Sequence, residues 1–469
     1  MRPSLLSARR LLAASLALTS FPLMLTAQPA DDIAALREQI RLLDQKLRVL
    51  ERKTEIKDEE TAAATRAAAR VTVNDRGFTL ASGDGAHTLR LRGLIQGDSR
   101  WFVDDGGIAN NDAFVIRRAR LIFEGTFNRF VSYQLVPEFG GTSGNGSLSL
   151  LDANIGVAFS PTLQLRVGRF REPVGLEQLQ SDAVAFFAER SVVSQFVPNR
   201  DLGVQFSGDL RNGTVSYAIG VFNGVADGSN NANNSDINDE KDVAARLFFQ
   251  PFRNEADSAL KGLGFGLAGS LGEQNGTAGA LTGGYRTDGQ QTFFAYRSTT
   301  VANGSTWRFS PQAHFYRGPF GLLGEYVVSS VEAANGAVRH TLKHKAWQAA
   351  AGYVLTGEDA GYAGVSPRQS FDPAAGTWGA FEVVGRVTGA EFDDNAFAGG
   401  AGSLANSATS ASSSMAYGLG LNWYLTRALR ASFNYFHTEF DAAPGIVPAT
   451  TTVIGNDENA FVTRLQLNF

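Results

Sequence analysis

The chain has 469 residues with 42 basic and 46 acidic side chains, a formal net charge of −4, 51 glycines and no cysteine. That balance says little about partners, no feature suggests nucleic-acid binding, and the missing cysteines exclude disulfides and thiolate metal sites. A mean hydropathy of −0.11 is too low for a bundle of membrane helices.

Residues 1–27 open with Arg2, Arg9 and Arg10 and continue as LLAASLALTSFPLMLTA. A basic start followed by a short apolar run ending on small Ala27 predicts a secretory signal peptide, since a membrane anchor needs roughly 20 mostly apolar residues. Residues 28–57 are expected to form a periplasmic helix, because Ile33, Leu36, Ile40, Leu43, Leu47 and Leu50 recur at spacings of three and four between charged residues. That seam predicts a short coiled coil and hence self-association. The alanine-rich residues from 58 to 87 are read as a linker.

From residue 88 the pattern changes to a period of two. Seventeen candidate strands follow, among them 88–101, 113–127, 129–138, 149–159, 162–169, 201–210 and 213–223. Single-chain bacterial barrels have an even number. The weakest candidate, 291–298, lies in a Gly-, Asn- and Thr-rich stretch and is discarded, which leaves an all-β, 16-stranded antiparallel transmembrane barrel over 88–469. Turns are expected at 211–213 and 317–319, and surface loops at 226–242 and 391–414.

Parity assigns the faces of this wall. In the closing segment AFVTRLQLNF, Phe461, Leu465, Leu467 and Phe469 share one side, and Arg464 takes the other. By the same alternation Leu89, Leu91 and Ile95 face lipid, while Arg90, Arg92, Gln96, Asp98 and Arg100 face the lumen. Arg118, Arg120, Glu124, Arg166, Arg246, Arg308, Arg386 and Arg430 also point inward. An arginine at mid-membrane on the lipid face costs roughly 2–4 kcal/mol, so this parity is enforced. Arg117 has the wrong parity and should lie at a strand end or beside a bulge.

Only seven basic residues are lysine, which leaves 35 arginines, whose fixed fork of donors suits oxyanions and keeps its proton when partly desolvated. Arginines lining a pore select for anions. The alternative is that they pair with Asp98, Glu124, Glu138, Asp152, Asp209, Glu325 and Glu382 in a general, non-selective aqueous pore. A barrel serving as an adhesin or structural protein is a third reading. The pore should narrow at the long, apolar-rich segment after the fifth strand, which is expected to fold inward and carry Arg169, Arg171, Glu177 and Gln178 to the waist.

The blocks IRRARLIFEGT, LLDANIGVAF, LRVGRFREPVGLEQL followed by AERS, GYVLTGED, LGLNWYLTRALRASFNYF and VTRLQLNF occur in family order, and together they resemble the phosphate-selective outer-membrane porins. The resemblance implies a homotrimer in the bacterial outer membrane, in contact with lipid and lipopolysaccharide. It also implies an arginine ladder feeding a central site for phosphate, polyphosphate or similar small anions beside the third loop. Arg117 and Arg118 match the family's arginine pair, and Asp152 its waist aspartate. Two positions depart: Gln178 stands where phosphate-specific members carry lysine, and Leu94 where they carry arginine. Arg120 and Arg171 add positive charge where those members are typically uncharged or acidic. The predicted channel and anion site therefore comprises Arg92, Arg100, Arg117, Arg118, Arg120, Asp152, Arg169, Arg171, Gln178, Arg386 and Arg464.

No cofactor or catalytic centre is expected. None of the five histidines sits in a nucleophile motif, and His340 and His344, flanking a hairpin, make a weak metal site without a nearby carboxylate. GFGLAG at 264–269 mimics a dinucleotide fingerprint but alternates as a strand, with no helix after it. The carboxylates of Asp236, Asp239, Glu240 and Asp242 are read as a solvated loop.

Overall fold

The computed structural model describes residues 30–103, 111–141, 148–230, 236, 238–277, 281–443 and 457–469. The proposed signal peptide lies outside the described residues. The chain divides into two compact units, the first ending at Ala67 and the second covering Ala68–Phe469.

In the first unit a single helix, α1, spans Ala30–Ala67. It is longer than the sequence reading. Alanine is the strongest helix former, so the TAAATRA stretch read as linker continues the helix. Ion pairs one turn apart, Arg48–Asp44 at 3.1 Å and Arg52–Glu55 at 2.9 Å, lie on its surface. The seam residues Ile33, Leu36, Ile40, Leu43, Leu47 and Leu50 are all exposed.

The rest of the expected linker is also ordered. Arg70–Asn74 and Gly77–Ala81 form a hairpin in register Arg70↔Ala81 to Asn74↔Gly77. Gly77 closes the turn at φ 106°, and a Cβ there would fall 2.3 Å from the Leu91 carbonyl oxygen. A side chain would push the hairpin off the neighbouring strand.

Sixteen strands make the barrel among the described residues. They are β1 Thr88–Val103, β2 Ala113–Phe127, β3 Val131–Glu138, β4 Ser149–Ser160, β5 Leu163–Arg171, β6 Arg200–Leu210, β7 Val215–Phe222 and β8 Asp242–Phe249. The second half comprises β9 Leu263–Asn275, β10 Val301–Arg317, β11 Phe320–Asn335, β12 Val338–Val354, β13 Ala380–Glu391, β14 Ala411–Tyr424, β15 Leu429–Ala442 and β16 Glu458–Asn468. Each pairs antiparallel with its sequence neighbours, and β16 closes on β1 from Asn459↔Val103 to Asn468↔Leu94. The discarded stretch contributes no wall strand: Thr292–Phe294 pairs only with Tyr285–Arg286. Leu263–Asn275 is a wall strand, so the glycine-rich string is no nucleotide site.

The outer wall carries exposed Leu89, Ile95, Leu121, Ile155, Val167, Leu419 and Leu465, as parity requires. The β1–β2 register slips between Gln96↔Arg118 and Gly97↔Ile116. Arg117 is the extra residue of this bulge, so it and Arg118 both turn inward.

Residues 391–414, read as a surface loop, depart from that expectation. Phe392, Ala396, Leu404 and Ala405 are buried in one cluster with Tyr285, Phe293, Phe294, Phe196 and Val193. The Phe294 and Phe392 rings stack at 3.9 Å between centroids. Interspersed alanines and glycines dilute the apolar signal of this segment, but its few large side chains have a lumen cluster to join.

Candidate functional site

The segment between β5 and β6 folds into the barrel and is fastened to its wall, most of its backbone ties running to strands β10–β16. Gln312 on β10 donates to the Val174 carbonyl at 2.9 Å. The Glu325 carboxylate on β11 accepts from the Leu176 and Glu177 N–H groups at 2.7 and 3.2 Å. Asn422 donates to Phe186 O, Arg430 to Ala185 O and Gln466 to Ala183 O, while Asn434 accepts from Ala188 N. Backbone without secondary structure can sit at membrane depth only if its polar groups find such partners.

Two carboxylates of this segment are hubs for wall arginines. Glu189 accepts from Arg100 at 3.0 Å, Arg117 at 2.7 Å and Arg464 at 2.8 Å. Asp182 meets Arg118 at 3.3 Å and Arg171 at 3.0 Å, and also pairs with Arg120 and Arg190. Burial alone would raise the Asp182 carboxyl, but Arg118, Arg190, Arg120 and Arg171 overcome it and hold it well below the usual carboxylate range. Glu189 is held low in the same way, with burial outweighed chiefly by Arg117, Arg464 and Arg118. No motif marks an aspartate or glutamate in a long loop as a partner for so many arginines.

Beside the folded segment, the lumen opens into two cavities. One, of about 460 Å³, is lined by Arg117, Arg118, Arg120, Gln178, Asp182, Glu189, Arg190, Arg200 and Arg286, among others. The second, of about 310 Å³, is lined by Arg92, Leu94, Arg120, Asp152, Arg166, Arg171, Asp182 and Arg200 with apolar neighbours. Arg120, Asp182 and Arg200 belong to both, which makes them the waist between the chambers. Arg120 also reaches Glu138 at 2.5 Å, and Arg200 reaches Asp152 at 3.2 Å. Together the cavities expose nine arginines to three carboxylates, Asp152, Asp182 and Glu189.

The residues predicted from sequence are thus divided. Arg117, Arg118, Arg120 and Gln178 line the first cavity, and Arg92, Arg120, Asp152 and Arg171 the second. Arg100, Arg169, Arg386 and Arg464 line neither cavity. Arg464 is gripped by Asp98 at 2.6 Å behind the folded segment, and Arg386 pairs with Asp288 and donates to Glu189 O at 3.1 Å. Arg169 is buried beside a wall bend at Gly168, φ 121°. The sequence reading missed Arg190, Arg200, Asp182 and Glu189. Of the carboxylates expected to pair with arginine, Asp98, Glu124, Glu138 and Asp152 do so. Asp209 instead accepts from Ser216, Glu325 from the loop backbone, and Glu382 from Asn422 and Tyr424.

His344 is buried, bonded to the Tyr296 hydroxyl at 2.6 Å and accepting from Asp393 N–H at 3.1 Å. No group of three metal-ligating side chains occurs among the described residues. The acidic loop is not wholly solvated, because Asp242 is buried and paired with Arg308 at 3.2 Å.

A closed 16-stranded wall, apolar outside and polar within, narrowed by an inward loop, defines a diffusion channel of the bacterial outer membrane. Residues 89–469 match the family described as "Phosphate-selective porin O and P", and the chain belongs to it. It is a passive channel for small anions and not an enzyme. Porin O of Pseudomonas aeruginosa is 25% identical over 415 residues, covering 84% of this chain and 91% of that protein. The fold is similar to the outer membrane channel DcaP of Acinetobacter baumannii, at 11% identity and a TM-score of 0.50 over 82% of this chain and 98% of that one. It is also similar to a loop-deletion form of OmpT of Vibrio cholerae, at 10% identity and 0.50 over 82% and 100%.

Proposed function

We propose that selectivity is set at the waist formed by Arg120, Asp182 and Arg200, and that oxyanions of the phosphate and polyphosphate kind are drawn through it by the flanking arginines. The carrying observation is the positive excess lining the two cavities that meet at this waist, nine arginines against three carboxylates. Rings of fixed guanidinium donors replace part of an anion's hydration, and the low-dielectric wall concentrates their field. Asp182 and Glu189 temper that field: they hold the arginines in place and keep a passing anion from binding too tightly to leave. Arg117, Arg118, Arg171 and Arg190 would act as stepping points on either side.

Assembly as a homotrimer is part of this reading. The exposed heptad seam of α1 supports self-association, and lipid and lipopolysaccharide would cover the remaining outer wall.

The test is the reversal potential of the purified protein in planar bilayers under a salt gradient. An anion-selective potential, with chloride current blocked by millimolar phosphate, is the expected result. Cation preference or no preference would defeat the proposal.

A further inference from the structure

The hairpin 70–81 continues the barrel wall and leaves one side of it uncovered. Its inner strand Gly77–Ala81 pairs with β1 from Phe78↔Leu91 to Ala81↔Thr88, just beyond the point where β16 ends against Leu94. The hairpin thus takes over from β16 along the seam. Register places Val71↔Leu80↔Leu89 and Val73↔Phe78↔Leu91 in two rows on the outward face. Thr72↔Thr79↔Arg90 lies on the inward face. The C-terminal Phe469 ring meets Phe78 edge-on at 6.1 Å, so the apolar rows run unbroken into the outer wall.

The outer strand Arg70–Asn74 pairs with nothing beyond its hairpin partner among the described residues. Val71 is 72% exposed and Val73 64% exposed. Water does not suit the two valines, and acyl chains do not suit a row of unpaired N–H and C=O groups. A protein surface suits both.

We propose that the edge strand Arg70–Asn74, with Val71 and Val73, docks against a second copy of this chain. The choice of occupant comes from the covalent neighbour. Only Ala68 and Ala69 separate the strand from the end of α1, whose apolar seam is exposed along its length. Helices that associate through that seam bring their edge strands together. The inference rests on the self-association reading above and adds the surface that copies share at the foot of the barrel.

Because the chain has no cysteine, single cysteines report cleanly. Val71→Cys, Val73→Cys and the inward Thr72→Cys are made in the full chain and treated, in outer-membrane vesicles, with a flexible bismaleimide. The expected result is covalent dimers from the two valine positions, at least fivefold above the Thr72→Cys background. Absence of cross-links, with a nitroxide at position 73 relaxed by oxygen or by a nickel chelate, would assign the face to lipid or to water and overturn the proposal. Native mass and chloride conductance of the same samples separate the two levels. A conducting oligomer without cross-links sinks this inference alone, whereas a conducting monomer sinks the self-association reading with it.

Discussion

Replacing Asp182 by asparagine should make the channel more strongly anion-selective without opening it. The substitution keeps the shape and one acceptor oxygen but removes the charge that faces Arg118, Arg120, Arg171 and Arg190. At about 6 Å and an effective dielectric near 20, one unit charge acts on a passing anion with roughly 2–3 kcal/mol, and salt screening leaves about 1–1.5 kcal/mol. That is about a tenfold gain in anion affinity at the waist. The loop should stay folded, because Arg171 still donates to Gln180 O at 2.8 Å and Arg190 to Glu177 O at 2.9 Å. Glu189, Glu325 and Asn434 hold the rest of the segment independently. Reversal potentials and phosphate block of chloride current, read on native and Asp182→Asn channels, measure the change. Unchanged selectivity would mean that permeating ions do not sense this carboxylate, and a jump to a wide-open conductance would mean that Asp182 holds the loop rather than tuning the pore.

Gln178→Lys places an ammonium in the larger cavity and should tighten phosphate block several-fold, whereas no change would remove Gln178 from the ion path. Leu94→Arg, inside the smaller cavity, should be tolerated and raise anion selectivity, while Leu419→Arg on the outer wall should cost roughly 2–4 kcal/mol in unfolding from bilayers; equal tolerance would contradict the face assignment. Since Asp182 and Glu189 are held below the usual carboxylate range, the stability they confer is present above their unfolded pKa of about 4 and lost only as pH falls through their lower folded values. Conductance should therefore hold from pH 7 to about 4 and change only in stronger acid, and a transition near neutrality would refute that linkage.

Wall strands were legible because each residue faces one of two solvents, and a misplaced arginine is costly enough to keep the alternation clean. The same rule located the Arg117 bulge from a single parity violation. What parity cannot reveal is the material standing in front of an inward residue. Arg100 and Arg464 point inward as expected, yet the folded segment covers them, and they anchor it instead of lining the cavities. The hairpin at 70–81 escaped notice because two five-residue strands beside an alanine-rich helix carry little periodic signal. Arg190 and Arg200 lie in or at the edge of irregular chain, where no period exists to read.

The one-sided fastening of the inward segment makes the conduit eccentric. Most of its backbone ties run to strands β10–β16, while the two cavities are lined chiefly from β1 to β6, so on the proposed reading the two halves of the barrel face different constraints. On the cavity-lined arc the guanidinium groups that face the two chambers would meet every passing solute, and drift there should alter what the cell takes up. Across the fastened arc a change need only preserve a hydrogen bond to loop backbone, so a lineage could remodel that half extensively while its diet stayed the same.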